Sequence, residues 1–64
     1  PVLGARQVYF DGGWYETVIY DRARLPVGPF VEGPAIIQEM SSTTIVEPGQ
    51  RLRVDGSGTM IIEV

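Results

Sequence analysis

Short runs of alternating apolar and polar residues, punctuated by glycine and proline, make up most of this chain. Arg6-Gln7-Val8-Tyr9-Phe10 puts Val8 and Phe10 on one face and reads as a strand. Asp11-Gly12-Gly13 follows, a turn signal because glycine tolerates φ > 0. Trp14 to Tyr20 resumes as a strand, with Trp14, Glu16, Val18 and Tyr20 on one face and Tyr15, Thr17 and Ile19 on the other. The two segments predict a hairpin held by cross-strand aromatic pairs.

The stretch from Glu32 to Gly49 organises the rest. Gly33-Pro34 opens it and Pro48-Gly49 closes it, residues that free or fix φ. Between them, Ala35-Ile36-Ile37 forms a buried-strand run, and Thr43-Thr44-Ile45-Val46 is wholly β-branched, which suits a pleated, half-buried surface. Gly33 is expected to take a backbone conformation that a β-carbon would strain. Upstream, Asp21-Arg22-Ala23-Arg24-Leu25 can make one helical turn capped by Asp21 and ended by Pro26. Val27-Gly28-Pro29-Phe30-Val31 reads as a connector pinned to the body by its apolar side chains. Downstream, Arg51-Leu52-Arg53-Val54 alternates with its arginines outward, Asp55-Gly56-Ser57-Gly58 turns, and Thr59 to Val64 closes the chain with Met60, Ile62 and Val64 inward. Ile36, Leu52, Val54 and Ile62 are expected to share one core.

No helical periodicity extends beyond a turn or two. The pattern predicts an all-β fold, a small barrel or sandwich of about five to six short, mainly antiparallel strands. The 64 residues are read as a single small β domain, residues 1–64. A domain of this size buries only about 60% of its unfolded surface, so small domains usually add a disulfide, a metal or partner surface. The chain has no Cys and no His, which removes disulfides and the usual zinc ligands. Partner surface is the supplement that remains. The chain is therefore expected to be a fragment of a larger protein, in keeping with Pro1 as its first residue.

Charge narrows the partners. Five arginines and no lysine stand against eight acids, a net charge of −3, so no basic patch for nucleic acid is expected. The aliphatic runs are far shorter than the ~20 residues that span a bilayer, and no membrane association is expected. Absence of Cys is compatible with a cytoplasmic location.

Candidate chemistry is sparse. Glu32 and Glu39 lie near opposite ends of a strand, roughly 20 Å apart at ~3.3 Å per residue, too far for paired acid–base work. Ser41, Ser42, Thr43 and Thr44 offer hydroxyls, but neither His nor Lys is present to activate them. Gly56-Ser57-Gly58 has the small residues of a phosphate loop without its lysine or following helix. Arg51 and Arg53 share a side and could clasp an anion or a partner carboxylate; more often such a pair is the wet face of a strand. Tyr9, Phe10, Trp14, Tyr15 and Tyr20 could stack a ligand, though core filling and an interdomain contact are the better readings. Glu39-Met40 calls to mind small biotinyl carriers, but Ser41 follows and a chain without lysine has no attachment point.

Tyr20-Asp21-Arg22, Leu25-Pro26, Glu32-Gly33-Pro34-Ala35-Ile36-Ile37, Ser42-Thr43-Thr44, Pro48-Gly49 and Asp55-Gly56 occur in an order that resembles the C-terminal end of hydantoinase/oxoprolinase family A subunits. That family includes ATP-dependent N-methylhydantoinases, 5-oxoprolinases and acetone carboxylase-related subunits. The resemblance runs from about Arg6 to the C-terminus. It implies a noncatalytic C-terminal structural or interface domain of an ATP-dependent amidohydrolase subunit. The parent would be the enzyme, a cyclic-amide hydrolase. ATP and a divalent metal would belong to the parent's preceding domains, and none to this chain. Its partners would be those domains and a B-type subunit. The motif residues Gly33, Pro34, Ala35, Thr43, Thr44, Pro48 and Gly49 carry structural roles in this reading, and no catalytic, cofactor or metal residue transfers. Two alternatives stand beside it: an independent small β-barrel interaction module, and a carrier-like domain that moves between sites without covalent modification.

Overall fold

Asp11 and Gly12 both have positive φ, 43° and 93°, the pair that a two-residue primed hairpin loop requires. They join β1 (Val2–Phe10) to β2 (Gly13–Asp21) in antiparallel register, with Val8 opposite Tyr15 and Tyr9 opposite Trp14. The computed structural model describes residues 2–64, so Pro1 and any inference from it lie outside the described residues. A single 3-10 turn, Arg22–Arg24, follows β2; the Ala23 N–H donates to the Asp21 carboxylate at 3.1 Å, the cap expected there. The remaining strands are β3 (Val31–Glu32), β4 (Ala35–Gln38), β5 (Thr43–Val46), β6 (Arg51–Val54) and β7 (Met60–Glu63).

The expected all-β class is what the structure shows, as seven strands in two sheets rather than a closed barrel. The first sheet has the order β1-β2-β4-β5 and the second β3-β6-β7. All pairings are antiparallel except β2 with β4, which runs parallel from Val18 opposite Ala35 to Asp21 opposite Gln38. A parallel pair needs a long crossover. Here it passes through the 3-10 turn, the proline-rich connector and β3 of the second sheet.

Both sheets feed one core. Ala35, Ile37 and Val46 come from the first sheet and Leu52 from the second, all fully buried, with Tyr20, Leu25, Val31 and Met60 packed around them. Burying each Ile or Leu side chain contributes about 1.5–3 kcal/mol before entropy. β4 is central, and Ala35, Ile36 and Ile37 are all buried. That explains its continuous apolar run, the signature of a strand covered on both faces.

Three expectations are corrected. Ile62 and Val64 do not point into a closed interior: Ile62 is 40% exposed, although it sits opposite Leu52. The reason is position, because β7 is the edge of the second sheet and only Met60 reaches the core. Ile36 is buried, but its neighbours in register are Ile19 and Ile45, on the face away from Ile37 and Leu52, so the predicted four-residue core is not one cluster. The connector is pinned less by side chains than expected. Val27 and Phe30 are exposed, and the Gly28 N–H donates to the Val54 carbonyl at 3.0 Å.

Candidate functional site

Gly33 and the Pro48-Gly49 turn meet at the joint between the sheets, while Thr43 and Thr44 lie toward the other end of the β4–β5 ladder. Pro48 and Gly49 form the β5–β6 turn, with Gly49 at φ 88° and the Gln50 N–H donating to the Glu47 carbonyl at 3.0 Å, as a Pro-Gly type II turn would have it. The Gln50 side chain accepts from the Glu47 N–H at 3.0 Å, and the Gln50 carbonyl accepts from the Gly33 N–H at 2.8 Å. Gln50 therefore ties the turn to the start of β4. The sequence reading missed it, although the Glu-Pro-Gly-Gln frame was a usable signal. Gly33 is not a positive-φ residue. Its constraint is space: an added β-carbon would overlap the Glu47 carbonyl oxygen and lie 2.8 Å from its carbon and 3.1 Å from the Gln50 oxygen.

The other motif residues are placed by strand geometry. Pro34 follows Gly33 through a cis peptide bond. Ala35 is fully buried opposite Val46. Thr43 is exposed and Thr44 half-buried opposite Ile37.

The polar groups make few constellations. The Asp55 carboxylate accepts from the Ser57 hydroxyl at 2.7 Å and from the backbone N–H groups of Ser57 and Thr59 at 2.9 and 3.0 Å. A hydroxyl on a carboxylate has the outline of a nucleophile and base. Yet the Ser57 hydroxyl and the two backbone donors hold the Asp55 carboxyl below its ordinary 3.8, which makes it a poorer base. The arrangement is a turn clasp, and Gly56-Ser57-Gly58 lies in it with no helix after it. The Ser42 hydroxyl stands a long 3.5 Å from a Glu39 oxygen. Among the described residues no three His, Cys, Asp or Glu side chains group as a metal site.

Arg51 is held by Glu63, at 2.9 Å, and lies over the Phe30 ring with its guanidinium carbon 4.0 Å from the centroid. Arg53 takes part in neither of these two contacts. Of the hairpin's aromatic residues Tyr20 packs against the core, whereas Tyr9, Trp14 and Tyr15 are exposed. Tyr9 and Trp14 meet edge to face at 5.4 Å between centroids, yet they are 56% and 69% exposed. Phe10 and Tyr15 pair in the same way at 5.9 Å. Concavities among the described residues include an open one of about 440 Å³ beside Arg22 and Glu39, an apolar one of about 190 Å³ between Pro26, Phe30 and Leu52, and one of about 380 Å³ between the hairpin and Pro48. No helix among the described residues is long and apolar enough to cross a membrane.

Comparison with known proteins places this joint-centred β fold. The family described as the hydantoinase/oxoprolinase C-terminal domain matches residues 1–62. An uncharacterized protein of Methanocaldococcus jannaschii is 45% identical over 58 residues, covering 91% of this chain and 8% of that protein. 5-Oxoprolinase 1 of Arabidopsis thaliana is 41% identical over 58 residues, covering 91% of this chain and 5% of that protein. Caprolactamase subunit alpha of Pseudomonas jessenii is 34% identical over 58 residues, covering 88% of this chain and 8% of that protein. The chain spans less than a tenth of each of these relatives. On this match the chain belongs to the hydantoinase/oxoprolinase C-terminal domain family.

Proposed function

We propose that this chain is a noncatalytic domain that completes the fold of a hydantoinase/oxoprolinase-type subunit by packing on its preceding domains, with a B-type subunit as a further partner. The parent is then an ATP-dependent hydrolase of a cyclic amide, with ATP and a divalent metal held outside this chain. The observation that carries this reading is the mismatch between core and surface. Among the described residues six hydrophobic side chains are buried, while Tyr9, Trp14, Tyr15, Ile45 and Ile62, spread over both sheets, remain exposed. Adjacent exposed aromatic rings, as in the Tyr9–Trp14 pair, support a contact surface on so small a body. The residue set agrees, since ATP chemistry and ring opening call for a phosphate cradle and an activated nucleophile, and this chain has no Lys, His or Cys. The experiment is an assay of the purified chain with ATP and either hydantoin or 5-oxoproline. No turnover above buffer is expected. Turnover abolished by one point substitution in this chain would refute a noncatalytic role.

A further inference from the structure

β2 is nine residues long, but only its last four, Val18–Asp21, pair with β4. The half of the hairpin from Gly13 to Glu16, with its β1 partners, runs past the end of β4 as an arm, with fully buried Thr17 at its base. A lone two-stranded ribbon is marginal in water. This one carries two edge-to-face aromatic pairs and ends in Asp11-Gly12. Between the arm and the β5–β6 turn lies the cleft of about 380 Å³, lined by Tyr9, Phe10, Asp11, Tyr15, Glu47 and Pro48. Its lining combines aromatic rings with two carboxylates and holds no basic side chain. The ion pairs among the described residues are Arg24–Asp21 and Arg51–Glu63, so neither Asp11 nor Glu47 has an arginine of its own.

We propose that this aromatic and acidic cleft receives an arginine side chain presented by another domain of the same polypeptide, so that the β1–β2 arm is the domain's docking element. The inference rests on the packing role proposed above and names its surface. Charge complementarity calls for a cation, and the rings call for a planar one that stacks while its fork meets a carboxylate. The chain already builds that arrangement once, where Arg51 lies over Phe30 and pairs with Glu63. The occupant is placed in the same polypeptide because a single side chain entering one cleft gains from being tethered to it. Tethering supplies an effective concentration on the order of millimolar. The relatives support such tethering, since the matched segment is 5% of one and 8% of another.

The test places the photocrosslinker p-benzoylphenylalanine at position 14, 45 or 62 of the full-length polypeptide. Position 14 adjoins the cleft without lining it. The expected result is an intramolecular crosslink from position 14 to an arginine-containing peptide. Asp11→Asn with Glu47→Gln should lower its yield roughly fivefold, the upper end for exposed ion pairs. An unchanged yield in that variant, or a crosslink from 14 to a separate subunit, overturns the proposal. Crosslinks from 45 or 62 with none from 14 overturn the arm as docking element while leaving the packing role standing. No crosslink from any of the three positions defeats both.

Discussion

Gly33→Ala puts one methyl group where the two sheets are joined, and its effect follows from the local geometry. The added carbon would overlap the Glu47 carbonyl oxygen, with the Glu47 carbon at 2.8 Å and the Gln50 oxygen at 3.1 Å. These are backbone atoms, so no rotamer change relieves the clash. Either β4 or the β5–β6 turn must move, and movement strains the 2.8 Å bond from Gly33 to Gln50. Overpacking costs about 1–3 kcal/mol and a lost hydrogen bond about 0.5–1.5, together about 1.5–4.5 kcal/mol. A domain of this size has about 3–5 kcal/mol in total, so the variant should be largely unfolded or close to it. Gly56→Ala is the matched control: nothing lies within 4 Å of its β-carbon and its φ is not positive, so it should be neutral or slightly stabilising. Urea unfolding followed by circular dichroism compares the two. A Gly33→Ala midpoint equal to that of Gly56→Ala would show that the sheets are not joined closely at this point.

Ile37→Ala and Leu52→Ala remove fully buried side chains and should each cost about 2–5 kcal/mol, whereas Ile62→Ala, on the open edge, should cost about 1 or less; thermal melts of the three variants give the ranking, and an Ile62→Ala loss equal to the others would place β7 inside the core. Gln50→Ala should destabilise by about 1 kcal/mol through loss of its bond from the Glu47 N–H, with a melting temperature equal to the parent's counting against the turn lock. Asp55 has a depressed carboxyl, so its contribution is complete at neutral pH and fades as pH falls from its unfolded value near 3.8 through the lower folded one. Asp55→Ala should therefore narrow its stability gap to wild type in that acid window, and a gap that stays constant with pH would assign the loss to something other than the carboxylate.

Local signals carried the hairpins well. Asp11-Gly12, Pro48-Gly49 and Asp55 to Gly58 each lie where a turn was expected, because a turn residue's conformational demand is a property of a few neighbouring positions. The parallel pairing of β2 with β4 was illegible, since it is made between residues 17 positions apart, as in Val18 with Ala35, and no local pattern encodes it. β3 was equally hidden: a two-residue strand has no period, and Val31-Glu32 pairs only because β6 is adjacent. Burial was misread at β7, and the core-filling part of the Trp14 reading failed, for one reason. Alternation tells which residues share a face, while the topology decides whether anything covers that face. The motif residues were legible as structural punctuation, but the role of Gln50 appears only when Gly33 and Glu47 are brought together in space.

The claim that this domain packs without catalysing is tested most directly by deleting it from the full-length polypeptide. Solubility, subunit assembly by sedimentation, and turnover per correctly assembled molecule should be measured on the same preparation. The expected result is a fall in soluble, assembled protein, with the remaining assembled fraction keeping its turnover within about twofold, a difference of only ~0.4 kcal/mol in barrier. Deleted protein that stays fully soluble and assembled yet loses the chemical step would contradict the account.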